Sequence, residues 1–165
     1  RLAVALQMCF PGCPAVYYGD ELGMEGENDP DCRRAMDWGA AERQPELLGW
    51  FRELIALRKG SVALQKGGFY NSVCDDGANL FGFCRTHEAE DVLVIINAGE
   101  RWYKGEARVP DGSGEWREAF SGETVTSVIN PSKDPYSAGC PAVLSLSIPA
   151  RTVKIFKQER KRGQE

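Results

Sequence analysis

Residues 12–38 read GCPAVYYGDELGMEGENDPDCRRAMDW, and the fold turns on how this stretch begins. Pro14, Ala15, Val16, Tyr17 and Tyr18 are consecutive rather than alternating apolar residues. That is the pattern of a short strand covered on both faces, as in a parallel sheet. Gly19 ends the run, and from Asp20 to Gly39 the chain is polar with little periodicity. The prediction is a buried strand that empties into an acidic, glycine-rich loop.

On the N-terminal side, Leu2, Leu6 and Cys9 recur at helical spacing, and Pro11-Gly12 stops that helix by Phe10. On the other side, Pro45 suits a first helical position. Leu47, Leu48, Trp50, Phe51, Leu54, Ile55 and Leu57 then form a broad apolar stripe, with Arg52, Glu53 and Arg58 placed opposite it. Gly60 is predicted to close this helix as a left-handed cap.

Beyond Gly60 the signals are all β. Strands are predicted at Gly68–Cys74, Ala78–Arg85, Asp91–Asn97, Trp102–Val109, Glu115–Phe120, Thr124–Ile129, Val143–Ile148 and Thr152–Phe156. Turn residues separate them at Asp76-Gly77, Asn97-Ala98-Gly99, Asp111-Gly112-Ser113-Gly114, Ser121-Gly122 and Asn130-Pro131. Leu144, Leu146 and Ile148 alternate with Ser145 and Ser147, which marks a strand with one wet face. Eight short strands at roughly even spacing argue for an antiparallel sandwich or barrel. The fold class is therefore α+β: the end of an α/β domain, such as a β/α barrel, joined to an antiparallel β-sandwich. About 60 residues cannot close such a barrel, which needs roughly 250, and the chain opens at Arg1 within an apolar pattern. It reads as a piece of something larger. Pro14–Tyr18 expects a parallel neighbour on each side that the chain does not supply, so residues 1–20 are expected to be loosely held unless the first helix and strand collapse onto the Trp50–Phe51 stripe or pair with another copy.

Composition narrows function. Of 165 residues, 42% are hydrophobic and 27% charged, which excludes disordered and fibrous classes. No apolar run approaches the ~20 residues of a membrane span. Net charge is −4, from 20 basic and 24 acidic residues, and basic residues concentrate only in the short tail 157–162. Nucleic acid and membrane are thus not expected as partners. The single histidine, His87, lies in the polar stretch RTHEAED and reads as a solvated hairpin residue rather than a catalytic base. Six cysteines, Cys9, Cys13, Cys32, Cys74, Cys84 and Cys140, show no CxxC spacing. They are expected to be reduced thiols of a cytoplasmic protein.

Between Asp20 and Cys32 stand six acids and no base, followed by Arg33, Arg34, Met36 and Trp38. Four readings compete for this loop. Asp20 and Glu21 could act as an acid/base pair, although neighbours on an extended chain point to opposite sides. Alternate acids could bind calcium, although the glycine and distal Glu of an EF-hand loop are missing. The loop could be solvated and nothing more. It could also line a sugar site, with carboxylates and Arg pairing to hydroxyls and aromatic rings stacking on sugar faces.

GCPAVYYGDELGMEG and then DPDCRRAMDW resemble the eighth-strand region of the α-amylase superfamily, most closely its neopullulanase/cyclomaltodextrinase/maltogenic amylase group. That region reads GTPxIYYGDE(I/L)G, then DPxxR and MxW. Gly12, Pro14, Tyr17, Tyr18, Gly19, Asp20, Glu21, Gly23, Asp29, Pro30, Arg33, Met36 and Trp38 stand in register. LIALRKGSVAL, residues 54–64, is similar to the last barrel helix and its link to a C-terminal domain. Cys13 replaces the usual Thr and Val62 a frequent Pro.

The resemblance implies residues 1–62 as the C-terminal end of the catalytic (β/α)8 barrel with its last strand/helix unit, 63–157 as an antiparallel β-sandwich domain of Greek-key type and 158–165 as a polar tail. It implies retaining hydrolysis of α-glucosidic bonds by a carboxylate nucleophile and a protonated Glu. In the family these residues, and a third Asp that helps bind the sugar, lie upstream of the matched segment. No catalytic residue, metal ligand or cofactor is therefore assigned to this chain. Asp29 and Arg33 are implied to bind substrate, an α-glucan oligosaccharide such as a cyclodextrin, pullulan or maltooligosaccharide. Tyr17, Tyr18, Asp20 and Glu21 are implied to support the site, Glu21 as a buried hydrogen-bond partner that shapes the loop. Homo-oligomerisation of the full enzyme stays open. The alternatives are a non-catalytic carbohydrate-binding or structural β-sandwich module, or an inactive family member of transporter-subunit type.

Overall fold

The computed structural model of the protein describes residues 1–110, 114–129 and 141–160. The turns expected at Asp111–Gly114 and Asn130-Pro131 fall wholly or mostly outside those residues, as do Cys140 and the end of the tail.

Among the described residues every strand pair in the β region is antiparallel. The strands are β1 (Gly68–Asp75), β2 (Leu80–Thr86), β3 (Glu90–Asn97), β4 (Tyr103–Val109), β5 (Glu115–Glu118), β6 (Thr124–Thr126), β7 (Val128–Ile129), β8 (Ala142–Ile148) and β9 (Thr152–Glu159). Six of them form one sheet in the order β1-β2-β3-β9-β5-β6, and β4-β8-β7 form a second. The chain leaves the first sheet after β3, and β9 returns to lie between β3 and β5. Each strand expected beyond Gly60 is present, with the expected Thr124–Ile129 run broken at Ser127 and the last strand reaching Glu159. In β8, Leu144, Leu146 and Ile148 are buried and Ser145 and Ser147 exposed, as their alternation predicts.

β3 is buried along its whole length because the six-stranded sheet is covered on both sides. Val92, Val94 and Ile96 point to one core with Phe83 and Ile155, and Leu93 and Ile95 point to the other with Trp116, Leu144 and Phe156. The second core lies between the two sheets. The first lies under helices, where Ala5, Met8, Cys9, Phe51 and Leu54 pack on the sheet. Each of the large side chains, Met8, Phe51 and Leu54, contributes about 1.5–3 kcal/mol by leaving water. The molecule therefore has three layers: helices, a six-stranded sheet and a three-stranded sheet.

The helical layer consists of α1 (Leu2–Cys9), α2 (Ala40–Arg43), α3 (Pro45–Lys59) and α4 (Val62–Lys66). α1 and α3 have the expected bounds, with Pro45 at the start of α3. Four expectations are corrected. Pro14–Tyr18 forms no strand: a strand needs a ladder partner, and none of the described residues pairs with this segment. α1 is not loosely held, since it collapses onto α3 and the sheet and buries Ala5, Met8 and Cys9. Gly60 has φ −86°, so it is not a left-handed cap, and the chain turns directly into α4 with the Ser61 hydroxyl accepting from the Leu64 amide at 3.2 Å. Arg58 does not face solvent on the polar side of α3. Its guanidinium reaches back to donate to the carbonyls of Met8, Phe10 and Gly12 at 2.7, 3.3 and 2.6 Å.

Arg85 completes that arrangement from β2. It is only 2% exposed and donates to the carbonyls of Cys9 and Leu64 at 3.0 Å, Gly67 at 2.8 Å and Gly68 at 3.2 Å. The last carbonyls of a helix lack intrahelical partners and carry partial negative charge. Two guanidinium groups, one from α3 and one from β2, thus fasten the C-terminus of α1 to the sheet.

Candidate functional site

The loop after residue 18 is shaped first by glycine. Gly19 takes φ +94°, and a Cβ there would lie 2.7 Å from the Met24 sulfur. The Gly19 amide donates to Glu21 Oε2 at 3.0 Å. The chain then makes a 3-10 turn at Asp20–Leu22, whose Leu22 is buried against the helical layer while Asp20 stays exposed and Glu21 half-buried. A second 3-10 turn at Asp31–Arg33 follows the cis Asp29-Pro30 bond.

This second turn brings acids and arginines together. Arg33 forks onto the Asp29 carboxylate, with Nε donating to Oδ1 at 3.0 Å, and Arg34 forks onto Asp31 at 3.1 and 2.5 Å. Asp31 also accepts from the Glu27 amide at 2.9 Å. The guanidinium of Arg34, and then the Glu27 amide, hold the Asp31 carboxyl below the usual carboxylate range. Pairing with Asp29 raises Arg33, and pairing with Asp31 raises Arg34. All four groups face water, so the pairs add little to stability. Their value is directional: a guanidinium fixed by one carboxylate still offers N–H groups to a ligand.

Tyr17 and Tyr18 stand beside this turn, 53% and 42% exposed, with ring centroids 4.6 Å apart. The Tyr18 hydroxyl donates to the Arg34 carbonyl at 3.0 Å, and its hydrogen bonding raises Tyr17 above the usual phenol value. Trp38 is 79% exposed at the end of the loop. Two exposed tyrosines, an exposed carboxylate and a fixed guanidinium together offer apolar faces and paired hydrogen bonds, the chemistry that holds a polyol.

One concave part of this region lies elsewhere on the loop. A cleft of about 440 Å³ is lined by Leu22, Met24, Glu25, Arg34, Asp37 and Arg43 among others, and not by Asp29, Arg33, Tyr17, Tyr18, Asp20 or Glu21. Its residues come from the loop and from α2, which the sequence pattern did not reveal as a helix. Among the described residues, no group of three or more His, Cys, Asp or Glu gathers to hold a metal ion.

The β-domain gives the decisive comparison: residues 70–159 match the family model of the α-amylase C-terminal all-beta domain. The chain belongs to this family. Over 126 residues it is 40% identical to neopullulanase 2 of Thermoactinomyces vulgaris, covering 76% of this chain and 22% of that protein. Over 117 residues it is 38% identical to a cyclomaltodextrinase of Geobacillus thermopakistaniensis, covering 70% of this chain and 20% of that one. The solved α-amylase of Geobacillus thermoleovorans, complexed with acarbose, superposes with a TM-score of 0.77 at 25% identity. That superposition covers 98% of this chain and 33% of the α-amylase. The chain spans about a fifth of the length of the curated relatives it matches.

Proposed function

We propose that this chain is the C-terminal part of a retaining α-glucan hydrolase, with residues 1–62 closing the catalytic barrel and the β-domain from residue 63 packed against it. The observation that carries this reading is the extent of the superposition on an α-amylase: at 98% of the chain it takes in the helical layer and the acidic loop as well as the sheets. In this reading Pro14–Tyr18 becomes a barrel strand once neighbours adjoin it. Tyr17, Tyr18, Asp20 and Glu21 support the loop, and Asp29 and Arg33 meet an α-glucan oligosaccharide. Three exposed thiols, Cys13, Cys32 and Cys74, fit a reducing, cytoplasmic compartment.

Retaining hydrolysis needs two carboxyl groups about 5–5.5 Å apart. The family places both upstream of the segment present here, so the chain alone is expected not to turn over a nitrophenyl maltoside. In the full enzyme, Asp29→Ala or Arg33→Ala is expected to raise KM for long maltooligosaccharides by a cost of about 1–3 kcal/mol, the worth of a charged hydrogen bond. A minimal aryl glucoside should be little affected. Equal loss on both substrates would assign the pair a folding role instead.

A further inference from the structure

We infer that Arg58 of α3 is a positioning residue for the acidic loop. By gripping the chain where it leaves α1, it sets where Tyr17 and Tyr18 stand and, through Tyr18, where the turn carrying Arg33 stands. The kinetic consequence rests on the α-glucan reading above; the geometric one does not.

The grip is concentrated on one stretch of chain. Arg58 Nη1 donates to the carbonyls of Met8 and Phe10, and Nη2 to that of Gly12. These carbonyls alternate along the connection from α1 to Pro14–Tyr18, and a planar fork suits such a row better than a single ammonium would. Gly12 takes φ +113°, so the chain reverses at a residue whose backbone is otherwise free to swing. From the sheet side, Phe10 packs edge-on against Phe69 and Phe83 with ring centroids 5.1 and 5.6 Å away. Arg85 adds its bond to the Cys9 carbonyl. Burial, and then the neighbouring Arg58, pull Arg85 below its usual value. Two guanidinium groups that repel each other each need fixed acceptors. Those acceptors are backbone carbonyls, so the connection cannot shift without leaving a charge unpaired.

The grip passes along the chain. The Ala15 carbonyl accepts from Gln7 Nε2 of α1 at 2.5 Å, and the Tyr17 carbonyl from the Asp20 amide at 3.1 Å. The Tyr18 hydroxyl then holds the Arg34 carbonyl, next to Arg33. The far end of the segment returns to α3, where Leu22 is buried and a Cβ on Gly23 would lie 3.2 Å from Leu47 Cδ2. Leu47 and Arg58 lie near opposite ends of α3. One helix thus holds both the entry and the exit of the segment bearing Tyr17, Tyr18, Asp20 and Glu21. Loss of Arg58 frees the entry and leaves the exit fixed, so the segment should tilt rather than unfold.

The geometric test uses the 165-residue chain with methyl-labelled methionine. The Met24 side chain lies against Gly19, so its methyl reports the loop. Arg58→Gln is expected to shift or broaden the Met24 signal while the amide signals of β3 and β9 stay in place. Arg58→Lys, which keeps the charge and loses the fork, should act in the same direction and serves where Arg58→Gln folds poorly. Leu144→Ala opens a cavity in the core between the sheets and should lower Tm without moving Met24. An unmoved Met24 signal in both Arg58 variants overturns the inference. Movement of Met24 in Leu144→Ala overturns it too, since the loop would then follow stability alone. In the full enzyme, Arg58→Gln should raise KM for maltoheptaose about three- to tenfold with kcat nearly unchanged, part of what losing the Arg33 hydrogen bond costs. Adding Arg58→Gln to Arg33→Ala should then raise KM no further, because Arg58 acts through that turn. Effects that multiply would overturn the inference. Arg33→Ala without effect on KM would sink the α-glucan reading of the pair, and the Met24 signal would still decide the role of Arg58.

Discussion

Glu90 opens β3, is buried, and is held ionised. Burial alone would raise its pKa, but the Ser61 hydroxyl at 2.5 Å, the Lys157 ammonium at 2.9 Å and the Ala63 amide at 3.1 Å outweigh burial. The carboxyl is therefore held below its ordinary value of 4.5. A lowered pKa means that the folded state favours the carboxylate. Its stabilisation is present above about pH 4.5 and is lost as pH falls through the folded value. Glu90→Gln is expected to cost about 2–4 kcal/mol at pH 7, and the gap to the wild type should narrow by pH 3. Urea unfolding at both pH values measures this, and a gap independent of pH would mean that the charge is not what stabilises. Cys9 shifts the opposite way for a simpler reason: burial pushes its thiol from 9.0 up to about 12, against partial relief from Arg58 and Arg85. Its contribution is whole below pH 9 and lost as pH rises towards 12. Alkylation of the native protein at pH 8 should mark Cys13, Cys32 and Cys74 and reach Cys9 only after denaturation. Early labelling of Cys9, read by mass of its peptide, would show that α1 opens. The low thiolate character of Cys9 was legible only as an apolar neighbourhood in the sequence. The Asp29–Arg33 contact was written there as charges four apart, with nothing to say that a turn would close them.

α1 shows what a single element needs in order to persist. Eight residues are too few to be helical alone, so its stability is borrowed from packing on α3 and from the two arginines on its terminal carbonyls. Arg85→Met should preserve much of the packing while leaving the carbonyls of Cys9, Leu64 and Gly67 without that donor, at about 2–4 kcal/mol. The effect is expected to be local: amide exchange in α1 accelerates while β3 and β9 keep their rates. Equal acceleration in β3 would make Arg85 a support of the whole sheet rather than of the helix. Arg85 was beyond sequence reading because an arginine in a strand normally marks a wet face, and here the wet face is covered by helices from 76 residues away. α3 and most strands were legible because local signals define them: Pro45 at the start, a stripe at 3.6 spacing, alternation, and glycine turns. Pro14–Tyr18 was not, because strand formation depends on partners outside the segment. α4 carried a readable Ser61 cap, yet five residues give too little periodicity to register.

At the scale of the whole molecule, the three layers rank the backbone by how many neighbours must move before an amide meets water. β3 is hydrogen-bonded on both sides, to β2 and β9, and its side chains belong to both cores. Opening it requires separating the helices and the second sheet together, which approaches global unfolding. α1 closes its own hydrogen bonds but touches only one core, so a smaller opening frees it. Residues 13–17 have neither ladder nor helix, and Val16, Tyr17 and Tyr18 are exposed. Hydrogen exchange on the chain is therefore expected to separate into three classes: slowest in β2, β3 and β9, intermediate in α1 and α3, and fast in residues 13–18. The fast class has a second consequence, since an unpaired apolar segment is a template for association. At low concentration, with sedimentation reporting a single small species, Val16–Tyr18 should exchange nearly as an unfolded peptide does. At high concentration any protection gained there should rise together with the sedimentation coefficient. Protection of Val16–Tyr18 in a dilute monomer would mean that the segment pairs within its own chain. The barrel-strand role proposed for it would then lose its physical basis, because a strand already satisfied at home has no edge left to offer a neighbour.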